Sequence, residues 1–361
     1  MTKKQLFRAV AFLLIVVSMF VLLSDVFENG PNRTNTFKVR TYYSLEKDTL
    51  DMALIGTSGV DRYWLAPKAF EERGIASFAL ANNANPSWFL LPLIKDITRR
   101  HDDLKLLVVD MRPFVVNYVG EPQSRFEIRA RSLTEALPFF SLARFEAINR
   151  ALKITSENIE SFSRFDISYL FNFIKYHTRW SEDDFNFDHE TEVKTSPYMA
   201  AFIHKSLSIK QLDKPVTTVV SDERMDLDPI CEKDLYELLD YFDKQDYEVL
   251  FLNTPHGQND VETKRTNKLC DILEEKGYDY LNCKLDSELY DLKKDFYNSG
   301  HVNYYGSEKF TEWFIDYLEE HYDLPDHRGD DRYYQWAGTY DKVKKTIAAW
   351  EKEAEEKAKK A

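Results

Sequence analysis

The stretch "DMALIGTSGV", residues 51–60, decides how the chain folds. A short apolar run breaks off at Gly-Thr-Ser-Gly, the pattern of a buried strand running straight into a turn. Working outward, "APKAFEERG" has helical spacing and closes on Gly74, a residue suited to a helix C-terminus. "IASFALAN" reads as a second strand, "WFLLPLIKDITRRH" as a helix, and "LKLLVVDMRPF" as a third strand, apolar throughout as a doubly buried strand requires. The alternation resumes with helix "CEKDLYELLDYFDKQ", strand "YEVLFLNTP", helix "TKRTNKLCDILEEKG" and strand "YDYLNC". Such alternation predicts an α/β fold, a parallel sheet covered by helices on both faces. Ligands of such sheets bind at the carboxyl ends of the strands.

The N-terminus has another character. Lys3, Lys4 and Arg8 precede an apolar run from Ala9 to Leu23, and Leu6 to Phe27 is about the 20 residues that cross a bilayer core. The basic flank predicts a cytoplasmic N-terminus with the rest of the chain outside. A cleavable signal peptide is the rival reading, but no small-x-small site follows the run. The layout is therefore a signal anchor over 1–28, a polar stalk or opening strand over 29–50, and an α/β domain over 51–324. The aromatic and charged region 115–214 reads as a helical insertion, with a charged helical tail over 325–361.

Net charge of −13 without a basic block excludes phosphate-backbone binding, so no nucleic-acid partner is expected. Three cysteines without metal-type spacing read as small buried hydrophobes. No HExxH or carboxylate–histidine cluster is present, so neither a catalytic metal nor a cofactor is expected. Among the histidines, His256 follows Pro255 and could line the mouth of a site. His177, His189 and His204 fall in the insertion without ligand spacing.

Two residues carry candidate chemistry. Ser58 lies where a strand ends and a helix begins, a geometry that can expose a hydroxyl at a sheet edge. The structural alternative is a serine that only caps the helix. His301, in "DFYNSGHVNYYGSEKF" (295–310), precedes the closing helix. With "IGTSGV" and the strand–helix alternation, "NSGHVNYYGSEKF" resembles the SGNH (GDSL-like) hydrolase superfamily. Its membrane-anchored branch, related to the teichoic-acid D-alanylation protein DltD, is the most similar. The resemblance covers roughly residues 50–320 and implies a three-layer, flavodoxin-like SGNH-hydrolase fold interrupted by the insertion.

That resemblance implies Ser58 as nucleophile and His301 as base, with Asn298 at the position of the acid in an Asp-x-x-His pair. Asp295 is a second candidate to orient the ring. Thr57 stands where the first block has Asp, so the aspartate-linked geometry of that block is missing, and Thr57 is counted instead with Asn82, Asn83 and Arg112 as a candidate oxyanion or substrate-binding residue. The second block lacks its Gly; in "ALANNANP", Asn82 or Asn83 would supply oxyanion donors, or would merely form a turn. "GQND" at 257–260 copies the third block but follows the fourth strand, and is read as a turn. After the third strand, Arg112 either binds an anionic substrate or pairs with Asp110 in a salt bridge.

The resemblance implies an extracytoplasmic serine esterase or acyltransferase acting on D-alanyl or acetyl groups of a cell-surface glycopolymer. Its implied partner is a membrane-bound O-acyltransferase, and it would be held to the membrane through residues 6–27. The alternative is a catalytically degenerate SGNH fold retained as a binding or assembly partner of such an enzyme.

Overall fold

The computed structural model describes residues 1–26, 33–116, 123–158, 164–177 and 196–359. Trp180 and His189, with parts of the stalk and the insertion, lie outside the described residues, as does the expected end of the membrane span at Phe27. The chain forms two compact units: residues 1–40 with 121–195, and residues 41–120 with 196–361.

The second unit holds a five-stranded, all-parallel sheet of β1 Met52–Gly56, β2 Ser77–Ala81, β3 Leu106–Asp110, β4 Glu248–Asn253 and β5 Asp279–Asn282. The strand order is β2-β1-β3-β4-β5. β1, β2 and β3 are buried along their whole length, which explains their unbroken apolar sequences. The helices Ser87–Arg100 and Pro229–Phe242 pack together, and Ala66–Arg73 packs with Tyr304–His321 and Thr339–Ala358. The order reverses between β1 and β3, so the crevice at their carboxyl ends is the place where such a sheet binds ligands. Ser58 follows β1 and Arg112 follows β3.

Three expected segments take definite form here. The presumed stalk contains a helix, Arg33–Tyr43, followed by buried Leu45 and Leu50; Tyr42 is fully buried. The C-terminal tail contains the helix Thr339–Ala358, and it is docked. Trp336 is buried, stacks on Phe70 at 6.0 Å and donates to the Ser77 carbonyl at 3.0 Å, while Tyr340, Val343 and Ile347 form a core cluster. Its few apolar anchors fall on one face, which suffices to dock it. Finally, the region 115–214 is not one helical insertion. Residues 196–228 contain turns and extended chain without a helix, because their backbone bonds to other loops: Leu212 N–H to Lys293, Val216 N–H to Leu292 and Val219 N–H to Gln258, each at 2.9 Å.

The first unit contains the N-terminal helix Lys3–Val26 and the helices Gln123–Ala136 and Leu142–Asn158. Lys3–Ser24 is long and apolar enough to cross a membrane, and its most apolar stretch, of mean hydropathy 2.7, has no buried residue. Phe20 meets Phe171 and Phe173 edge-on, with centroids 5.1 and 4.9 Å apart. Phe140 is 70% exposed and Phe139 and Phe171 are only partly buried, so aromatic surface remains open in this unit.

A serine–histidine pair at the sheet's carboxyl edge

The turn after β1 is fixed by a contact across the sheet. Ile55 pairs with Val109, which places Gly56 beside Asp110. A β-carbon on Gly56 would lie 2.1 Å from the Asp110 β-carbon, and its φ of +153° also favours glycine. Through this gap the Asp110 carboxylate receives the Thr57 backbone N–H at 2.8 Å and the Thr57 hydroxyl in a short hydrogen bond. Its other oxygen accepts the Arg112 N–H at 3.0 Å. Burial raises the Asp110 pKa, opposed by Arg112 and by the bonds from Thr57. An aspartate thus does brace the turn that carries Ser58, but it comes from β3 rather than from the residue before the serine.

Thr57 also takes the capping role, its hydroxyl oxygen accepting Gly59 N–H at 3.0 Å. This overturns two expectations. Ser58 is not the N-cap, and Thr57 has its amide and hydroxyl hydrogens committed to Asp110, leaving none for an oxyanion or substrate. Ser58 is left as the first residue of the short helix Ser58–Asp61. Its Oγ lies 2.6 Å from His301 Nε2.

His301 reaches this position through a hairpin. β6 Phe296–Asn298 and β7 His301–Val302 pair antiparallel, with Asn298 opposite His301. The Asn298 side-chain oxygen accepts Gly300 N–H at 2.9 Å and lies 2.9 Å from His301 Nδ1. An N–H must face an oxygen, so Gly300 fixes which end of the amide points at the ring. That oxygen can only accept; Nδ1 therefore carries the ring proton and Nε2 presents its lone pair to the Ser58 hydroxyl. Tyr297 stacks parallel to the ring, 5.5 Å between centroids. Asp295 does not orient the histidine: its carboxylate accepts from Lys309 Nζ at 2.6 Å and Asp291 N–H at 2.7 Å.

The closing helix ties to the segment that follows the Ser58 turn. Thr311 accepts Leu65 N–H at 2.9 Å and donates to the Tyr63 carbonyl at 3.1 Å, while Tyr63 and Trp64 pack edge-on against Phe310 and Phe314. The loop after β4 completes the stitching. Thr254 Oγ1 donates to the Gly59 carbonyl at 2.8 Å, and Gly257 N–H donates to the Ser299 carbonyl at 2.8 Å. "GQND" is irregular chain that ends in a helix cap: Asn259 forms a capping box with Glu262.

Ser58 and His301 open into a cleft of about 1080 Å³. Asn83 lines it and accepts from Arg62 Nη2 at 2.8 Å, whereas Asn82 is buried and its side-chain polar atoms have no partner among the described residues. Ala84, also in the lining, holds a left-handed φ of 51°, an uncommon conformation for a residue other than glycine. Arg112 forms no side-chain ion pair with Asp110 among the described residues; its Nη2 turns to Thr254 Oγ1 at 3.3 Å. Sequence reading missed Arg62, which bonds Tyr297 at 3.2 Å and lies over the Phe202 ring at 3.2 Å. The available signal was its spacing of four from Ser58, one helical turn on. Burial holds the His301 pKa far below its usual value, at about 2, with Arg112, Arg62 and His256 acting in the same direction. His256 is likewise lowered, by burial first and then by Arg112.

No family model, no curated protein and no solved structure matches this chain.

Proposed function

We propose that this protein is an SGNH-type serine esterase or acyltransferase. It works outside the cytoplasm on acyl groups, D-alanyl or acetyl, of a cell-surface polymer, beside a membrane-bound O-acyltransferase. The observation that carries this reading is the 2.6 Å approach of Ser58 Oγ to His301 Nε2, with the ring tautomer set by Asn298. Ser58 attacks the ester carbonyl while His301 takes its proton; His301 then returns the proton to the leaving alcohol. Water or a glycan hydroxyl discharges the acyl-enzyme. Ser58 N–H and the Asn83 amide, both in the cleft lining, are the oxyanion donors of this reading, each such donor being worth about 3 kcal/mol. The N-terminal helix supports anchorage, with Lys3, Lys4 and Arg8 retained in the cytoplasm. The resemblance of "IGTSGV" and "NSGHVNYYGSEKF" to the DltD-like branch supplies the substrate class and the partner.

Hydrolysis of 4-nitrophenyl acetate tests the reading. Ser58→Ala and His301→Ala should each lose about 10³-fold or more in kcat/KM while keeping the wild-type melting temperature. Undiminished turnover in Ser58→Ala would remove the serine from the mechanism and favour a scaffold that assists a partner enzyme.

A further inference from the structure

The charge around the Ser58–His301 pair is unbalanced. Arg62, Arg112, Lys210 and His256 line the cleft; Glu262 also lines it, but is tied into the capping box with Asn259. Arg62 is fully engaged by Asp61, Asn83 and Tyr297, with Phe202 beneath it. Arg112 is not. It is 8% exposed, its side chain meets only neutral hydroxyls, Thr254 Oγ1 at 3.3 Å and the Tyr63 phenol, and its Nε has no partner among the described residues.

Arg112 also passes close to the nucleophile turn. A β-carbon on Gly59, the residue after Ser58, would lie 2.8 Å from Asp110 Oδ2 and 2.9 Å from Arg112 Cδ and Nε; Asp110 is the nearby buried carboxylate, but its hydrogen bonds go to Thr57 and to the Arg112 backbone N–H rather than to the guanidinium. A buried guanidinium with an unmet N–H is costly unless a ligand oxyanion completes it. On the other side of the site, the group that orients His301 is an amide, which carries no charge to balance an imidazolium.

We infer that the substrate carries an oxyanion, a carboxylate or phosphate, which docks on Arg112 beside the scissile ester and supplies the negative charge that His301 lacks in its own triad. This rests on the esterase reading for its catalytic part, but the anion site itself does not. The anion is a spectator in the chemistry. The Ser58 proton passes to His301 Nε2 as Oγ bonds the carbonyl carbon; collapse breaks the bond to the leaving oxygen, which takes that proton back. What the anion changes is the cost of holding positive charge on the ring beside two arginines. Arg112 thus binds substrate and, through it, tunes His301.

Matched acetyl esters test this: 4-acetoxybenzoate, 4-acetoxyphenyl phosphate and the neutral 4-acetoxybenzamide, each rate divided by that ester's spontaneous hydrolysis. Wild type should favour one or both anionic esters by about 10-fold or more in kcat/KM, the value of a charge-assisted hydrogen bond. The preferred anion separates carboxylate from phosphate. Arg112→Gln should abolish the preference and Arg112→Lys should retain part of it, both checked for folding by melting temperature. The acid limb of the pH–rate profile should lie at higher pH with the anionic ester than with the amide. Equal use of all three esters, or a preference that survives Arg112→Gln, would overturn the inference. Binding to the Ser58→Ala protein, measured by calorimetry, separates the two claims. Anion-selective binding without turnover in wild type would sink the esterase reading alone; absence of anion-selective binding would sink the anion site.

Discussion

Asn298 holds the His301 ring by a neutral contact, where a carboxylate would add charge. Its oxygen accepts from Nδ1 and from Gly300 N–H at 2.9 Å each, so the amide is held in one orientation. Asn298→Ala should cost about 10²–10⁴ in kcat by freeing the ring tautomer. Asn298→Asp should preserve both contacts and add charge, matching or exceeding wild-type turnover. With the pKa of His301 held near 2, the wild-type ring is already deprotonated at neutral and mildly acid pH. Its activity on a neutral ester should therefore show no acid limb near the usual histidine pKa of about 6.5. In Asn298→Asp the new anion raises the histidine pKa, and an acid limb should move up into the measurable range. Asn298 was legible because it stands three residues from the histidine across a tight hairpin. The Thr57–Asp110 brace was not, since its partners lie 53 residues apart and meet only through the register of β1 on β3.

That register gives the strand ends their own test. Gly56→Ala would drive a methyl group into Asp110 while forcing alanine to a φ of +153°. Overpacking and backbone strain together should destabilise the protein by at least about 2 kcal/mol, read from urea unfolding. A variant as stable as wild type would mean that the turn is looser than its geometry implies. The five strands and their helices were readable from apolar runs and caps, with Gly74 ending a helix in the left-handed conformation as its position suggested. The helix Arg33–Tyr43 was not readable: its composition is polar and β-branched, and tertiary packing of residues such as Tyr42 overrides that propensity. Residues 196–228 misled in the opposite sense. Residues 196–214 fall within the expected helical insertion, but Tyr198, Ile203 and Ile209 pack on the cluster of Tyr340, Val343 and Ile347 from irregular chain.

At the scale of the whole molecule, buried histidines set the response to acid. His101 is 1% exposed, with no partner for either ring nitrogen among the described residues, and burial lowers its pKa to about 4. The unfolded chain takes up this proton near pH 6.5 and the folded chain only near pH 4. Between these values the unfolded state binds more protons, so stability falls as the pH drops through the window. His256 and His301 act in the same sense, whereas Asp51 and Asp110, raised by burial, act in the opposite one. The clean test is a difference. His101→Phe keeps a ring beside Tyr42, whose centroid is 5.9 Å from that of His101, and its melting temperature should fall less than that of wild type between pH 7 and pH 5. Parallel curves would remove His101 from the acid response.

The central claim, that Ser58 is a nucleophile activated by His301, is tested most directly by intact-mass measurement after exposure to a fluorophosphonate. The account predicts one phosphonyl adduct on the wild-type protein, located on Ser58 by peptide mapping. The adduct should be absent from Ser58→Ala and form far more slowly on His301→Ala. An unlabelled wild type, or an adduct that persists in Ser58→Ala, would contradict it.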